Sequence, residues 1–366
     1  MKQIHIKIND DTHTKLRLHC AENNITIQEY VMQNINSSLI KPKSKTSLFK
    51  FIDLFAGVGG IRLPFEELKG ECVYSSEIDK YAKLTYQSFY KEVPDGDINE
   101  VTPCEIPDFD LLLAGFPCQP FSQAGHKKGF NDTRGTLFFQ IEKIIRCKMP
   151  KAFLLENVKG LKGHDKGRTF QVIMDTLESI GYTVQAKVLA AKDFNLPQNR
   201  QRIYIVGFLN KSHAENFCFP KPIEKLIKLG DILEEKVDPK YTISDKLWAG
   251  HQRRKKMHAE RGNGFGYSLF NSDSEYVNTI SARYYKDGSE ILIDQKNENP
   301  RKLTPLEAAR LQGFPDQLVI NAKSAGVSDV QLYKQFGNSV AVNVIRHIAK
   351  EMTQALLSKT EQKIAA

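Results

Sequence analysis

The run Phe51-Ile52-Asp53-Leu54-Phe55-Ala56-Gly57-Val58-Gly59-Gly60 decides the fold. It reads as a strand that ends in a glycine turn and opens a helix, and the glycines let backbone approach a ligand closely. About twenty residues on, Glu77 closes a second apolar run, where a carboxylate can accept hydrogen bonds from ribose hydroxyls. The pair points to a cofactor containing adenosine, and dinucleotide and methyl-donor readings both stay open at this stage. No GK[ST] follows, which excludes a phosphate-binding P-loop. Outward from this run, FIDLF, VYSSE, DLLLAG, AFLLEN, TVQAKVLA and RIYIVGF alternate with helical stretches as far as Gly207. Apolar runs of this length between amphipathic helices predict an α/β fold, a mostly parallel sheet covered on both faces, with ligands at the strand carboxyl ends.

Three further signals fall on that rim. Directly after DLLLAG comes Phe116-Pro117-Cys118-Gln119-Pro120-Phe121-Ser122. A cysteine held between prolines in a loop presents its thiolate to a substrate, whereas an inert core cysteine would lie inside an apolar run. The strand at Ala152 to Leu155 delivers Glu156-Asn157-Val158. A carboxylate there either caps the next helix or, beside a thiol nucleophile, protonates a ring nitrogen. The last strand is entered through Gln198-Asn199-Arg200-Gln201-Arg202, whose two guanidiniums point the same way to hold a phosphate or carbonyl oxygen, or else a surface carboxylate.

Composition sets the frame. The chain has 366 residues, 41% of them hydrophobic, so it can bury one large core, or a core plus a smaller lobe, without disulfides. Six cysteines occur without CxxC pairing, so reduced thiols, no metal and a cytoplasmic setting are expected. No apolar run is long enough for a bilayer, and the opening residues lack the apolar core of a secretory signal. The net charge of +9 suits a polyanion partner.

Five regions are expected. Residues 1–40 combine a strand with Ile4, Ile6 and Ile8 on one face and two helical stretches split near Asn23-Asn24, a small α+β segment similar to ribbon-helix-helix repressors. So small a unit needs a partner, either a second copy or the main domain. Residues 41–48 form a charged linker, 49–209 the main domain, and 210–300 a lobe with basic clusters such as Arg253 to Lys256 and a Gly/aromatic stretch from Gly262 to Tyr267. Residues 301–366 return as helices, with Thr304 as N-cap, Pro305 at the first helical position and Glu307 closing a capping box.

Taken together, DLFAGVGG, GFPCQPFS, ENV, QNRQRIY, RKLTPLEAARLQGFPD and QFGNSVAVNVI resemble, in order, the blocks of the DNA cytosine-5 methyltransferases of bacterial restriction-modification systems. The resemblance runs from Lys50 to the C-terminus and implies a Rossmann-like S-adenosylmethionine-dependent methyltransferase fold with a target-recognition lobe. It implies that Phe55, Ala56, Gly57, Gly59 and Gly60 wrap the methionine part of the cofactor. Glu77 would bind its ribose, Ile78 its adenine face, and Asp97 and Ile98 the adenine edge, with Pro117, Leu137, Asn338 and Ser339 completing the pocket. Cys118 would add to carbon 6 of a flipped cytosine while Glu156 acts at N3 and Arg200 and Arg202 fix the ring. Ser122 would touch the DNA backbone, and Arg261 and Arg283 would contact phosphate or guanine. Double-stranded DNA, a cognate restriction endonuclease and a second copy joined through residues 1–40 are the implied partners, and the first 40 residues add transcriptional autoregulation. Two rivals stand beside this reading: a relative acting on tRNA cytosine, and a DNA-binding regulator built on a methyltransferase scaffold.

Overall fold

The computed structural model describes residues 8–22, 25–31, 47–117, 137–223 and 227–358. The chain divides into two units, residues 1–47 and 48–366. In the first unit, helix α1 spans Asp10–Glu22 and a second helical segment, α2, covers 27–31. Each start is capped locally. The Asn9 side chain accepts the Thr12 N–H at 2.8 Å, and Thr26 and Glu29 exchange side-chain-to-backbone bonds in a capping box. The break expected near Asn23-Asn24 falls between these helices. The expected strand over residues 3–8 lies, apart from Ile8, outside the described residues, as do positions 32–46.

The second unit is built on a six-stranded sheet of order β2-β1-β3-β4-β6-β5. Its strands are β1 (Phe49–Leu54), β2 (Gly70–Ser76), β3 (Leu111–Gly115), β4 (Ala152–Val158), β5 (Thr183–Ala190) and β6 (Gln201–Phe208). β1 to β4 are mutually parallel, and β6 runs against both β4 and β5. Connection length explains the reversal. A helix, α6 (Arg168–Ser179), separates β4 from β5 and allows a parallel return, while only a 3₁₀ turn and a short loop lie between β5 and β6.

Strand periodicity divides the buried side chains between two faces. Phe51, Leu111, Leu113, Leu154 and Val206 pack with Val344, Ile345, Ile348 and Met352 of α12 (Val342–Leu357). Ile52, Leu112, Phe153, Leu155, Ile203 and Ile205 face the other way, onto α6 and onto Phe138, Ile141 and Ile145 of α5 (Leu137–Lys148). The turn helix α3 (Arg62–Glu67) follows β1, α4 (Lys80–Tyr90) follows β2, and α7 (Lys211–Asn216) follows β6.

A third core lies away from the sheet. It joins Leu229, Ile232, Val277, Ile280, Tyr284 and Ile291 to residues of three helices: α9 (Pro305–Gln312), α10 (Asp316–Ser324) and α11 (Asp329–Asn338). The predicted Thr304–Glu307 capping box is present at α9, whereas α10 and α11 had not been expected from the sequence. The basic cluster falls on α8 (Asp245–Glu260), beside a small sheet of β7 (Leu269–Phe270), β8 (Leu292–Ile293) and β9 (Arg301–Lys302). No helix among the described residues is long and apolar enough to cross a membrane.

Within this third core, Arg301 forks onto the fully buried Glu307 carboxylate at 2.8 and 2.9 Å, and Glu307 also accepts the backbone N–H groups of Thr304 and Glu234. Removing one partner leaves the other charge buried and unpaired. Arg301→Met is expected to destabilise the protein by about 3 kcal/mol, with Arg301→Met/Glu307→Gln recovering a large part. Urea unfolding checks this through a midpoint shift at unchanged m-value.

Candidate active site

A cleft of about 1400 Å³ opens at the carboxyl ends of the parallel strands. Its first wall is the turn after β1. Phe55 and Gly57 both take left-handed backbone conformations, with φ of 56° and 55°, which turns the chain sharply between strand and helix. Ala56 is pinned by its N–H to the Ser76 carbonyl at 2.9 Å. Gly60 also lines the cleft and lacks room for a side chain, since a Cβ would lie 2.9 Å from the Phe314 ring and 3.0 Å from the Ser339 hydroxyl. Gly59 instead faces Tyr90: a Cβ would stand 2.2 Å from that ring, and the Gly59 carbonyl accepts the Tyr90 hydroxyl at 2.8 Å.

The second wall comes from the end of β2. Glu77 accepts the Gly57 N–H at 2.7 Å on one carboxylate oxygen and the Asp79 N–H at 2.8 Å on the other, leaving each oxygen a lone pair toward the cleft. Next to it Ile78 is 72% exposed, an apolar surface that no described residue covers. Asp97 takes both of its local hydrogen bonds, from the Asn99 backbone and side chain, on Oδ1, and Ile98 behind it is buried. Pro117, Leu137, Asn338 and Ser339 line the same space.

At the rim, Glu156 stands two residues before the end of β4 and pairs in register with Tyr204 of β6. Because β6 runs backwards, its beginning, not its end, arrives here with Arg202. The Arg202 Nε stands 3.1 Å from Glu156 Oε1, and both side chains are largely withdrawn from water. Burial raises the Glu156 carboxyl above the ordinary carboxylate range, with Arg202 and then Arg200 opposing. Arg200 is otherwise engaged. Its guanidinium donates to the carbonyl oxygens of Ile280 at 3.3 Å, Gly337 at 3.2 Å and Ser339. Burial, aided by the like charge of Arg202, pulls it down to about 9, still cationic at neutral pH. Asn157 donates to the Phe116 carbonyl at 2.9 Å and so ties β4 to the chain leading into residue 118. Cys118 and Ser122 lie outside the described residues.

Of the two arginines of the lobe singled out in sequence, Arg283 lines the cleft with Tyr285 and Lys286, whereas Arg261 sits at the C-terminus of α8 and does not line it. Asp287 connects the two regions by pairing with Arg254 of α8 at 3.3 Å. On the loop after α8, Phe265 is 71% exposed.

Asp53, Ser76 and Gln335 also line the cleft and were not foreseen. Asp53 Oδ2, Ser76 Oγ, Gln335 Nε2 and Glu156 Oε1 are buried polar atoms without hydrogen-bond partners among the described residues. Burial holds the Asp53 carboxyl well above its usual range, against the pull of Arg62. A lone acid inside the apolar run FIDLF was the available signal. Orphaned polar atoms facing one cleft, an uncovered isoleucine and a poised carboxylate suit a ligand with a polar chain, a flat ring and ribose-like hydroxyls.

Known proteins resemble this chain over most of its length. The family model described as C-5 cytosine-specific DNA methylase matches residues 49–354. Type II methyltransferase M.NlaX of Neisseria lactamica is 62% identical over 320 residues, covering 87% of this chain and 100% of that protein. Type II methyltransferase M.DsaV of Dactylococcopsis salina is 60% identical over 315 residues, covering 86% and 88%. The crystal structure of S. pombe Dnmt2 methyltransferase superposes with a TM-score of 0.70 at 20% identity, over 84% of this chain and 99% of that one, a likeness of fold.

The seam between rim and lobe is close: a Cβ on Gly337 would lie 2.2 Å from the Ala282 nitrogen. Gly337→Ala is therefore expected to cost about 1–3 kcal/mol and to strip protection from the amide of Ile280, while Gly264→Ala, in open space, changes neither. Thermal melts and hydrogen exchange measure both.

Proposed function

Because the chain belongs to the C-5 cytosine-specific DNA methylase family and is a DNA cytosine-5 methyltransferase, we propose that it takes its methyl group from S-adenosylmethionine. The acceptor is carbon 5 of a cytosine turned out of duplex DNA, and the chain serves as the modification enzyme of a restriction-modification system. Such an enzyme works in the bacterial cytoplasm, at the nucleoid, opposite a nuclease that cuts the same site. The observation that carries the reading is the desolvated Glu156–Arg202 pair on the rim of a cleft whose far wall is Glu77 and Ile78.

S-adenosylmethionine, when bound, supplies a methyl group made electrophilic by its sulfonium. The residues that would hold it are the backbone of Phe55 to Gly57 and of Gly60 for the amino-acid end, Glu77 for the ribose hydroxyls, and Ile78 and Asp97 for the adenine. Turning the cytosine out costs a few kcal/mol of stacking. Cys118 adds to carbon 6, which makes carbon 5 nucleophilic. Glu156 stays protonated to higher pH than an ordinary carboxylate, and it gives its proton to N3 while Arg202 holds it in place. Once carbon 5 carries the methyl group, a water takes the carbon 5 proton, the carbon 5–carbon 6 double bond re-forms, the carbon 6–sulfur bond breaks to release the Cys118 thiolate, and N3 returns its proton to Glu156. Arg200 supports this arrangement through the three carbonyls it gathers. Arg283 and Lys286 at the cleft, the basic face of α8 with Arg261, and Ser122 supply DNA contacts, and Phe265 offers an apolar group for a groove or base step. Residues 1–40, with their ribbon-helix-helix pattern, pair with a second copy and bind the enzyme's own operator.

Cys118→Ser is expected to abolish methylation of duplex DNA, and oligonucleotides carrying 5-fluorocytosine are expected to become covalently attached to the wild-type protein. Absence of any adduct with the right site and donor present would overturn the assignment. The turnover rate is expected to decline as pH rises through the raised Glu156 pKa, since the acid form is the one that donates. Glu156→Gln, which keeps an N–H at every pH but cannot yield a proton, should run about 10²–10⁴-fold slower without that limb. Deleting residues 1–40 should remove operator binding in a gel shift, and unchanged binding would exclude the regulatory role.

A further inference from the structure

On the outer side of the sheet, two cysteines distant in sequence meet. Cys104 sits in the short 3₁₀ turn Pro103–Glu105, and Cys147 in the last turn of α5. Their sulfurs are 2.8 Å apart, and both residues are exposed. Closing that gap to a disulfide of about 2.05 Å needs a movement of under about 1 Å. The Lys148 ammonium donates to the Cys104 carbonyl oxygen and to the Asp108 carboxylate, both at 3.3 Å, and so braces the end of α5 against the turn that carries Cys104. Cys147 in turn holds its proton above the ordinary thiol range, first because it shares a hydrogen bond with Cys104. The other described cysteines lack this arrangement: Cys20 and Cys72 are buried, and Cys218 is exposed on another part of the chain.

We propose that Cys104 and Cys147 are a site of reversible oxidation, closing to an intramolecular disulfide when a two-electron oxidant such as hydrogen peroxide reaches the protein. One thiolate attacks the peroxide: a sulfur–oxygen bond forms, the oxygen–oxygen bond breaks, and water leaves after protonation. The second thiol then attacks the resulting sulfenic sulfur, forming the sulfur–sulfur bond and releasing a second water. Two thiols and one peroxide become one disulfide and two waters. The bond closes a loop whose ends are 43 residues apart in sequence. That loop holds residue 118 and also Leu137, the cleft-lining first residue of α5. Oxidation therefore clamps the far end of α5, whose first residue Leu137 lines the cleft, to the turn that follows the cleft-lining Asp97 and Ile98. Neither the site nor its readout depends on methyl transfer.

The test uses the full-length protein, treated with hydrogen peroxide, alkylated with iodoacetamide and digested without reductant. Mass spectrometry is expected to find the Cys104 and Cys147 peptides joined and two hydrogens lighter, with Cys218 alkylated, and dithiothreitol is expected to restore both thiols. The oxidised protein should melt roughly 5 °C higher than the reduced one, a rise absent from Cys147→Ser. The proposal is overturned if Cys104 and Cys147 stay alkylated to the same extent as Cys218. It is overturned equally if each ends as a separate sulfinic acid, if either joins a different cysteine, or if the joined form melts no higher than the reduced one.

Discussion

A guanidinium withdrawn from water has to find acceptors or forfeit several kcal/mol of solvation, and the organisation of this molecule follows from where Arg200 finds them. Its acceptors are backbone carbonyls of Ile280, Gly337 and Ser339, which belong to the lobe, the end of α11 and the cleft lining. One side chain at the mouth of β6 thereby sets the distance between the sheet and everything that closes over it. Gln198, two residues earlier and fully buried, does similar work, donating to the Leu311 carbonyl and accepting the Ile280 N–H. With these positions held, Arg202 is left to face Glu156.

The chemistry assigned to the rim rests on the same desolvation. A carboxyl in water would ionise and could offer no proton near neutral pH, but burial lifts Glu156 and Arg202 limits how far. Burial and the two arginines thus act on the Glu156 carboxyl in opposite directions, with burial the larger. Glu77 accepts two backbone N–H groups, from Gly57 and Asp79. Two glutamates at the carboxyl ends of parallel strands, with two other strands between them, thus meet different surroundings.

Much of this was legible in the residues. β1, β3, β4 and β6 were visible because each carries an apolar run that is mostly buried, β2 and β5 because they continue the alternation as more mixed strands at the sheet edges, and α9 because Thr304, Pro305 and Glu307 spell out its start. The reversal of β6 was less visible: it depends on there being no helix between Ala190 and Gln201, a matter of connection length rather than composition. α10 and α11 escaped notice because they are short and set off by the turns at Gly313 and Gly326. The arginines illustrate the limit for side chains. Arg200 and Arg202 were expected to point alike, as alternate residues of a strand do, yet β6 begins at Gln201, and Arg200, just outside it, turns toward other partners. Asp53 was hidden in plain view, since its burial and its unpartnered oxygen depend on a cleft assembled from distant segments.

The third core has a consequence for engineering. The apolar faces of α9, α10 and α11 are covered by Leu229, Ile232, Ile280, Tyr284 and Ile291, and Val342 at the start of α12 joins the same cluster. A chimera spliced at residue 300 would part these surfaces and confront one parent's helices with the other's side chains. A segment exchanged with this core intact has to extend past residue 340, so the lobe and the tail of the chain would travel together.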